Sequence, residues 1–167
     1  VKDALIASGG VSENGTMRNI TIKRNGKTVA IFDLYDLLRN GDENGDIILR
    51  AGDVVHVPLT KKQIWLSGNV KNPAIYELKP KENLSDLMYF SGGANSDASQ
   101  SAKISRSKAG KKELFETSLN AKFDLIDGDK VIIGKIANVV DNEINLYGNV
   151  YRKEAISIAK NESVGSL

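Results

Sequence analysis

Cysteine is absent from this 167-residue chain. That rules out disulfides, thiolate metal sites, a cysteine nucleophile and lipid attached to cysteine within it. Histidine occurs once, as His56, so neither a second histidine nor a cysteine can join it around a metal. No apolar run approaches the roughly 20 residues of a membrane-crossing helix. No stretch has the layout of a secretory signal, which leaves the compartment open. An excess of one charge is also lacking: 23 basic and 21 acidic residues leave +2, without the concentrated basic face that nucleic acid requires. What is present, 41% hydrophobic and 26% charged residues, is the composition of a soluble globular protein.

The positive signal is internal repetition, which outranks local propensity when a fold is read. Asp3-Ala4-Leu5-Ile6-Ala7-Ser8-Gly9-Gly10 aligns with Asp86-Leu87-Met88-Tyr89-Phe90-Ser91-Gly92-Gly93. Leu49-Arg50-Ala51-Gly52-Asp53-Val54-Val55 aligns with Leu125-Ile126-Asp127-Gly128-Asp129-Lys130-Val131. Ile64-Trp65-Leu66-Ser67-Gly68-Asn69-Val70 aligns with Ile144-Asn145-Leu146-Tyr147-Gly148-Asn149-Val150. The offsets of 83, 76 and 80 residues exceed solenoid periods, so each unit is expected to be a small domain with its own core.

One complete unit is predicted over 63–136. Ile64, Leu66 and Val70 suit a strand interrupted at Gly68. Asn72-Pro73 signals a turn, and Ile75 to Leu78 returns as a second strand. Leu84, Leu87, Met88 and Tyr89 stand at helix spacing behind Asn83 as N-cap. Gly92-Gly93 closes the helix by accepting the left-handed conformation of a C-cap. Ala102 to Arg106 and Lys112 to Glu116 form a further strand pair, and Gly128-Asp129 leads into a last strand from Lys130. The helix is expected to bury Leu84, Leu87 and Met88 against Leu66, Val70, Ile75, Ile104 and Val131. Strand, strand, helix, strand, strand, strand is the β-grasp (ubiquitin-like) order within an α+β class.

A first unit, 1–59, lacks the opening hairpin and starts in the helix. It continues through strands joined by the hairpin signal Asn25-Gly26, a short helical stretch Asp33 to Leu38, and Gly52-Asp53 before Val54 to Val57. A third unit, 143–167, supplies only an opening hairpin, Glu143 to Ile158, and the entry to a helix. Tandem domains, one complete and two partial, are therefore expected, and the chain reads as a fragment of a longer protein. The orphan hairpin and the unit short of one are complementary, so strand addition between copies, giving a ring or filament, is a further expectation.

Few residues invite a chemical role. Asp42, Asn44 and Asp46 imitate the first calcium-loop positions, with Asp53 at the twelfth, but Ile47 stands where the sharp turn needs glycine and strands flank the loop; a solvated loop is the stronger reading. Gly52-Asp53 and Gly128-Asp129 are read as turns: glycine takes a positive φ and aspartate caps backbone N–H groups. Gly9, Gly10, Gly68, Gly92, Gly93 and Gly148 belong to the same structural class. His56 is expected at a surface or edge. Trp65, Tyr76, Tyr147 and Tyr151 are candidates for glycan stacking or for packing between neighbouring units. No catalytic, metal-binding or cofactor-binding residue is assigned. The basic hairpin tips around Asn25-Gly26 and Ala109-Gly110 are read mainly as solvated faces.

The stretch from Ile64 to Ser99 resembles the SLBB domain, the soluble-ligand-binding β-grasp, and in particular the SLBB repeats of bacterial polysaccharide export proteins. Gly68, Val70, Pro73 and Tyr76 carry the likeness in the hairpin; Leu84, Asp86, Leu87 and Gly92-Gly93 carry it around the helix; Gly128-Asp129 carries it in the closing turn. The first unit is similar at Gly9-Gly10, Leu34-Tyr35-Asp36-Leu37-Leu38 and Gly52-Asp53. In the third unit Arg152-Lys153 stands where proline is expected. The resemblance implies a non-catalytic periplasmic module of a capsule or exopolysaccharide export protein, associated with the outer membrane in its full-length form. Its implied partners are polysaccharide, further copies of itself and export machinery, with no cofactor; zero cysteine fits that compartment without demanding it. A small-ligand-binding β-grasp domain and a glycan-binding surface are the alternatives. A glycan hydrolase is weakest, since no acidic pair sits in a catalytic setting.

Overall fold

The computed structural model describes residues 1–136 together with 143–145, 148–149, 151 and 155–157. Residues 1–136 form one unit and 137–167 another. In the first, helix α1 (Lys2–Ala7) precedes the hairpin of β1 (Ile20–Arg24) and β2 (Lys27–Phe32), helix α2 (Leu34–Asn40) and the short β3 (Val54–His56). Asn25 and Gly26 both take positive φ, 50° and 76°, the backbone that matches a two-residue turn to the twist of its strands. β1 lies between β2 and β3, antiparallel to both. Its alternation sends Ile20 and Ile22 inward, where they join Leu5 and Phe32 in a core.

After β3 come β4 (Gln63–Gly68), β5 (Ala74–Glu77), helix α3 (Leu84–Phe90), β6 (Ala98–Lys108), β7 (Lys111–Ser118) and β8 (Lys130–Lys135). The sheet order is β5-β4-β8-β6-β7, with β8 parallel to β4 and antiparallel to β6. The class is α+β. Helix α3 begins with a capping box: Asn83 Oδ1 accepts the Ser85 N–H and the Asp86 carboxylate accepts the Asn83 N–H, at 2.9 and 2.8 Å. Its buried Leu84, Leu87 and Met88 meet Ile64, Leu66, Val70, Ile104 and Val131.

Ile75 is the correction to the expected core. It pairs with Trp65 on the open face of the sheet and is 51% exposed. Register decides this: Ile64 and Leu66 face the helix, Ile64 sits opposite Tyr76, and Ile75, one residue away, must point to the other side. Leu78, just past the strand, is the residue that returns to the core.

The two sheets share a plan. Ile22 and Ile104 face Val55 and Val131 across their sheets. Gly15 bridges Leu59 as Ala98 pairs with Lys135. The Ser-Gly-Gly phrases make the same helix stop twice. Gly10 N–H reaches Leu5 O (2.8 Å) and Gly93 N–H reaches Met88 O (2.9 Å), while Gly9 and Gly92 bond to Ile6 O and Tyr89 O. The Ser8 and Ser91 hydroxyls donate to Leu5 O and Met88 O, both at 2.9 Å. Doubly bonded glycine ends of this kind satisfy carbonyls the helix leaves over.

In the second unit, β9 (Glu143–Asn145) pairs antiparallel with β10 (Ala155–Ser157). The helix entry predicted for the third unit and Tyr147 lie outside the described residues. Among the described residues no helix is long and apolar enough to cross a membrane.

Candidate functional site

The repeated Gly-Asp turns are electrostatic clamps. Gly52 and Gly128 hold φ of 86° and 83°. Asp53 accepts the backbone N–H of Arg50, and Asp129 that of Ile126, both at 2.9 Å, which is the predicted capping. Sequence reading missed the second half of each clamp. Arg24 grips Asp53 through Nε and Nη2 (2.8 and 2.7 Å), and Arg106 grips Asp129 in the same way (2.9 and 2.7 Å). Each arginine also donates to a carbonyl five residues before its aspartate, Ile48 O and Asp124 O. The available signal was Ile-x-Arg, which recurs as Ile22-Lys23-Arg24 and Ile104-Ser105-Arg106. Forked, charge-assisted bonds fix geometry as well as energy. The Arg24 side chain and the Arg50 N–H pull the Asp53 carboxyl down to about 2. These groups are consumed by structure, and no ligand contact is assigned to them.

The other predicted residues disperse. His56 is exposed on β3. In the acidic loop, Asp42 accepts the Asn44 N–H (2.9 Å), and Lys2 Nζ reaches Glu43 and Asp46, both at 2.9 Å. With Asp53 held by Arg24, the imitated calcium ligands do not converge. Trp65 lies on the sheet face away from α3, opposite Ile75 and Lys130. The Tyr76 hydroxyl donates to Asn72 O (2.8 Å). Tyr151 is fully exposed. Gly68 and Gly148 take positive φ, as do Gly9, Gly10, Gly92 and Gly93.

What the fold does bring together lies between the two sheets of the first unit. Arg18, on the approach to β1, is almost wholly buried. Its Nε bonds both Asp33 oxygens (3.2 and 3.1 Å) and its Nη1 bonds Glu82 of the second sheet's half (2.8 Å). The guanidinium sits 4.6 Å from the ring centres of both Tyr35 and Phe90, a cation–π sandwich that favours arginine. Lys79 Nζ closes on Asp33 at 2.6 Å. Burial raises the Asp33 pKa, but Lys79, Arg18 and the Tyr35 N–H outweigh it and hold the carboxyl below its ordinary range. A second strap runs alongside: the Thr16 hydroxyl and the Met17 N–H both donate to the Glu77 carboxylate, and Tyr35 Oη accepts the Glu77 N–H at 3.0 Å.

Beside this seam runs a groove of about 780 Å³. The first half contributes Asn19, Pro58 and Leu59; the connection to β4 contributes Lys61 and Lys62; the loop before β8 contributes Leu125, Ile126 and Asp127. The volume is within the range of small-molecule sites, and its mixture of apolar walls with a few polar groups is what such sites use. Lys62 Nζ donates to the Glu82 carbonyl (2.8 Å) and forms no ion pair among the described residues. Burial therefore lowers its pKa, with surrounding carboxylates only partly countering. The site offers binding chemistry: charged groups of both signs, Glu77 and Asp127 as well as the lysines, around an apolar floor.

The model of the SLBB domain family matches residues 64–115. The match opens in β4, spans β5, α3 and β6, and ends within β7; β8, which pairs with both β4 and β6, lies beyond it. The chain therefore contains an SLBB domain.

Proposed function

We propose that this SLBB-containing chain is a non-catalytic periplasmic module of a polysaccharide export protein, placed at the outer membrane by the rest of that protein and working in assembly and polymer passage. In this reading the chain is a tandem of β-grasp SLBB units: 1–59, a complete unit over 63–136, and a third that opens within 143–167. The observation that carries it is the duplicated bonding plan: two helix stops and two Arg–Asp clamps, joined by the buried Arg18 seam. A serial, internally locked array suits a load-bearing wall or conduit better than a single receptor. SLBB being a binding rather than a catalytic domain supports the same reading. Among the described strands β3 pairs only with β1, whereas its counterpart β8 also receives β4 in parallel. That edge is where a strand of another segment or copy would add.

Small-ligand binding is the second reading, favoured by the groove between the sheets. The test of the first is genetic. Removing the full-length protein from its host should strip polymer from the cell surface and strand it inside, measured as hexose and hexuronate in washed-cell and periplasmic fractions. Unchanged surface polymer would refute the export role.

A further inference from the structure

A second, smaller cleft of about 340 Å³ opens where α2 meets β5 and the end of α3. The first half of the unit contributes Tyr35, Leu38 and Arg39; the second contributes Asn72, Tyr76 and Phe90. The wall is therefore rich in aromatic rings. Tyr35 meets Phe90 edge to face, with ring centres 5.3 Å apart. Tyr89 Oη donates to Asn40 Oδ1 at 2.7 Å and ties α3 to the end of α2. The polar atoms of the wall are largely spent on the protein itself. Asn72 Nδ2 donates to Ser91 O and the Tyr76 hydroxyl to Asn72 O, both at 2.8 Å. Tyr35 Oη accepts the Glu77 N–H at 3.0 Å.

Arg39 is the one charged residue of the wall, and it makes no ion pair or side-chain hydrogen bond among the described residues. The carboxylates nearby are engaged elsewhere. Glu77 takes Thr16 and Met17 on the side of the inter-sheet groove. Asp33 is held by Arg18 and Lys79, and Asp36 lies 4.0 Å from Lys79 Nζ. Arg18, against the rings of Tyr35 and Phe90, is already answered by Asp33 and Glu82. Burial raises the Tyr76 pKa, and Arg39 is the charge that works against it; the group beside that hydroxyl is a guanidinium and not a carboxylate. Aromatic walls favour a ring that can meet them face or edge on, and a free guanidinium favours a carboxylate, which it can grip with two parallel bonds. The volume is at the small end of ligand sites and suits a single ring with a short substituent. We propose that this cleft binds a small aromatic carboxylate, its ring among Tyr35, Tyr76 and Phe90 and its carboxylate on Arg39. Neither half of the unit forms the site alone. The inference goes beyond the export reading and does not rest on it.

The test titrates the whole purified chain with phenylacetate, phenylethanol, cyclohexylacetate and acetate, read by amide chemical shifts. Phenylacetate should give saturable shifts at Tyr35, Arg39, Tyr76 and Phe90. Phenylethanol, which keeps the ring and loses the charge, should bind about tenfold more weakly, and acetate, which keeps the charge and loses the ring, at least as weakly. Cyclohexylacetate should bind about threefold more weakly, the part that belongs to aromatic contact. Arg39→Gln should weaken phenylacetate about tenfold and leave phenylethanol unchanged. Leu38 is 70% exposed, so Leu38→Glu leaves the fold in place; its like charge at the rim should abolish phenylacetate binding. Phenylethanol binding as tightly as phenylacetate would overturn the role of Arg39. Acetate binding as tightly would leave a bare anion site and overturn the ring pocket. Cyclohexylacetate binding as tightly would overturn the aromatic class. Shifts confined to the inter-sheet groove, or no saturable shift at all, would overturn the site.

Discussion

Gly68 and Gly128 hold similar positive φ, 90° and 83°, yet they should respond differently to an added methyl group. A Cβ at Gly68 would stand 2.1 Å from the Ile133 carbonyl oxygen, which belongs to the backbone of the neighbouring strand and cannot swing aside. A Cβ at Gly128 meets nothing within 4 Å. Gly68→Ala should therefore combine conformational strain with overpacking, roughly 2–4 kcal/mol, while Gly128→Ala carries strain alone, roughly 1 kcal/mol. Urea unfolding of the two variants separates the cases, and equal losses would mean that β8 does not approach Gly68 so closely. Asp53 gives the residue scale its pH dependence. Its carboxyl is drawn down to about 2 by Arg24 and the Arg50 N–H, against an unfolded value near 3.9. A depressed folded pKa means the clamp's contribution is complete above the unfolded value and is lost as pH falls through the folded one. Between pH 4 and pH 2 the native chain should lose this contribution progressively. In Arg24→Gln the Asp53 side-chain resonance should titrate nearer the ordinary carboxylate range, and acid sensitivity in that window should shrink.

Helix α3 is the element on which the complete unit depends. Leu87 is fully buried at its centre, and the sheet residues around it come from β4, β6 and β8. Leu87→Ala should lower stability by roughly 2–5 kcal/mol, the spread reflecting how far the site can collapse; a thermal midpoint equal to the native chain's would place the helix elsewhere. This element was legible from the sequence because three independent signals coincide: apolar spacing, Asn83 before it and Gly92-Gly93 after it. The same agreement made the Asn25-Gly26 hairpin and the Ser-Gly-Gly stops readable. Ile75 was misread because four alternating residues cannot reveal their own phase; only pairing with Ile64 sets it. The Arg–Asp clamps were half legible, the aspartate from its repeated turn and the arginine only through comparing repeats. The groove and the Arg18 seam were not legible. Arg18, Asp33, Glu77 and Glu82 look like ordinary surface charges, and their burial follows from how two sheets meet, a long-range outcome no local pattern encodes.

At the scale of the whole 1–136 unit, Arg18 is the contact that should decide whether its two halves unfold together. Its charge is answered from both sides, by Asp33 near β2 and Glu82 before α3, and its flat face is held between Tyr35 of one half and Phe90 of the other. Arg18→Met preserves much of the side chain's bulk but strands part of the buried negative charge. Asp33 keeps Lys79, while the Glu82 carboxylate keeps the Lys79 N–H at 2.7 Å and no ion pair among the described residues. Removing one partner of such a buried pair is typically worth about 3–5 kcal/mol. The loss should not fall evenly. The second sheet retains its own core around α3, whereas the first has the smaller core of Val1, Leu5, Ile20, Ile22 and Phe32 and depends more on its neighbour. Native-state hydrogen exchange should therefore show amides of β1 losing protection in Arg18→Met while those of β6 and β8 keep theirs. In the native chain both sets should open in one event. The Thr16–Met17–Glu77 strap should leave residual coupling, so adding Glu77→Gln should widen the gap between the two sets. Protection lost equally across both sheets in Arg18→Met would show that the halves share one cooperative core and that the seam does not govern it.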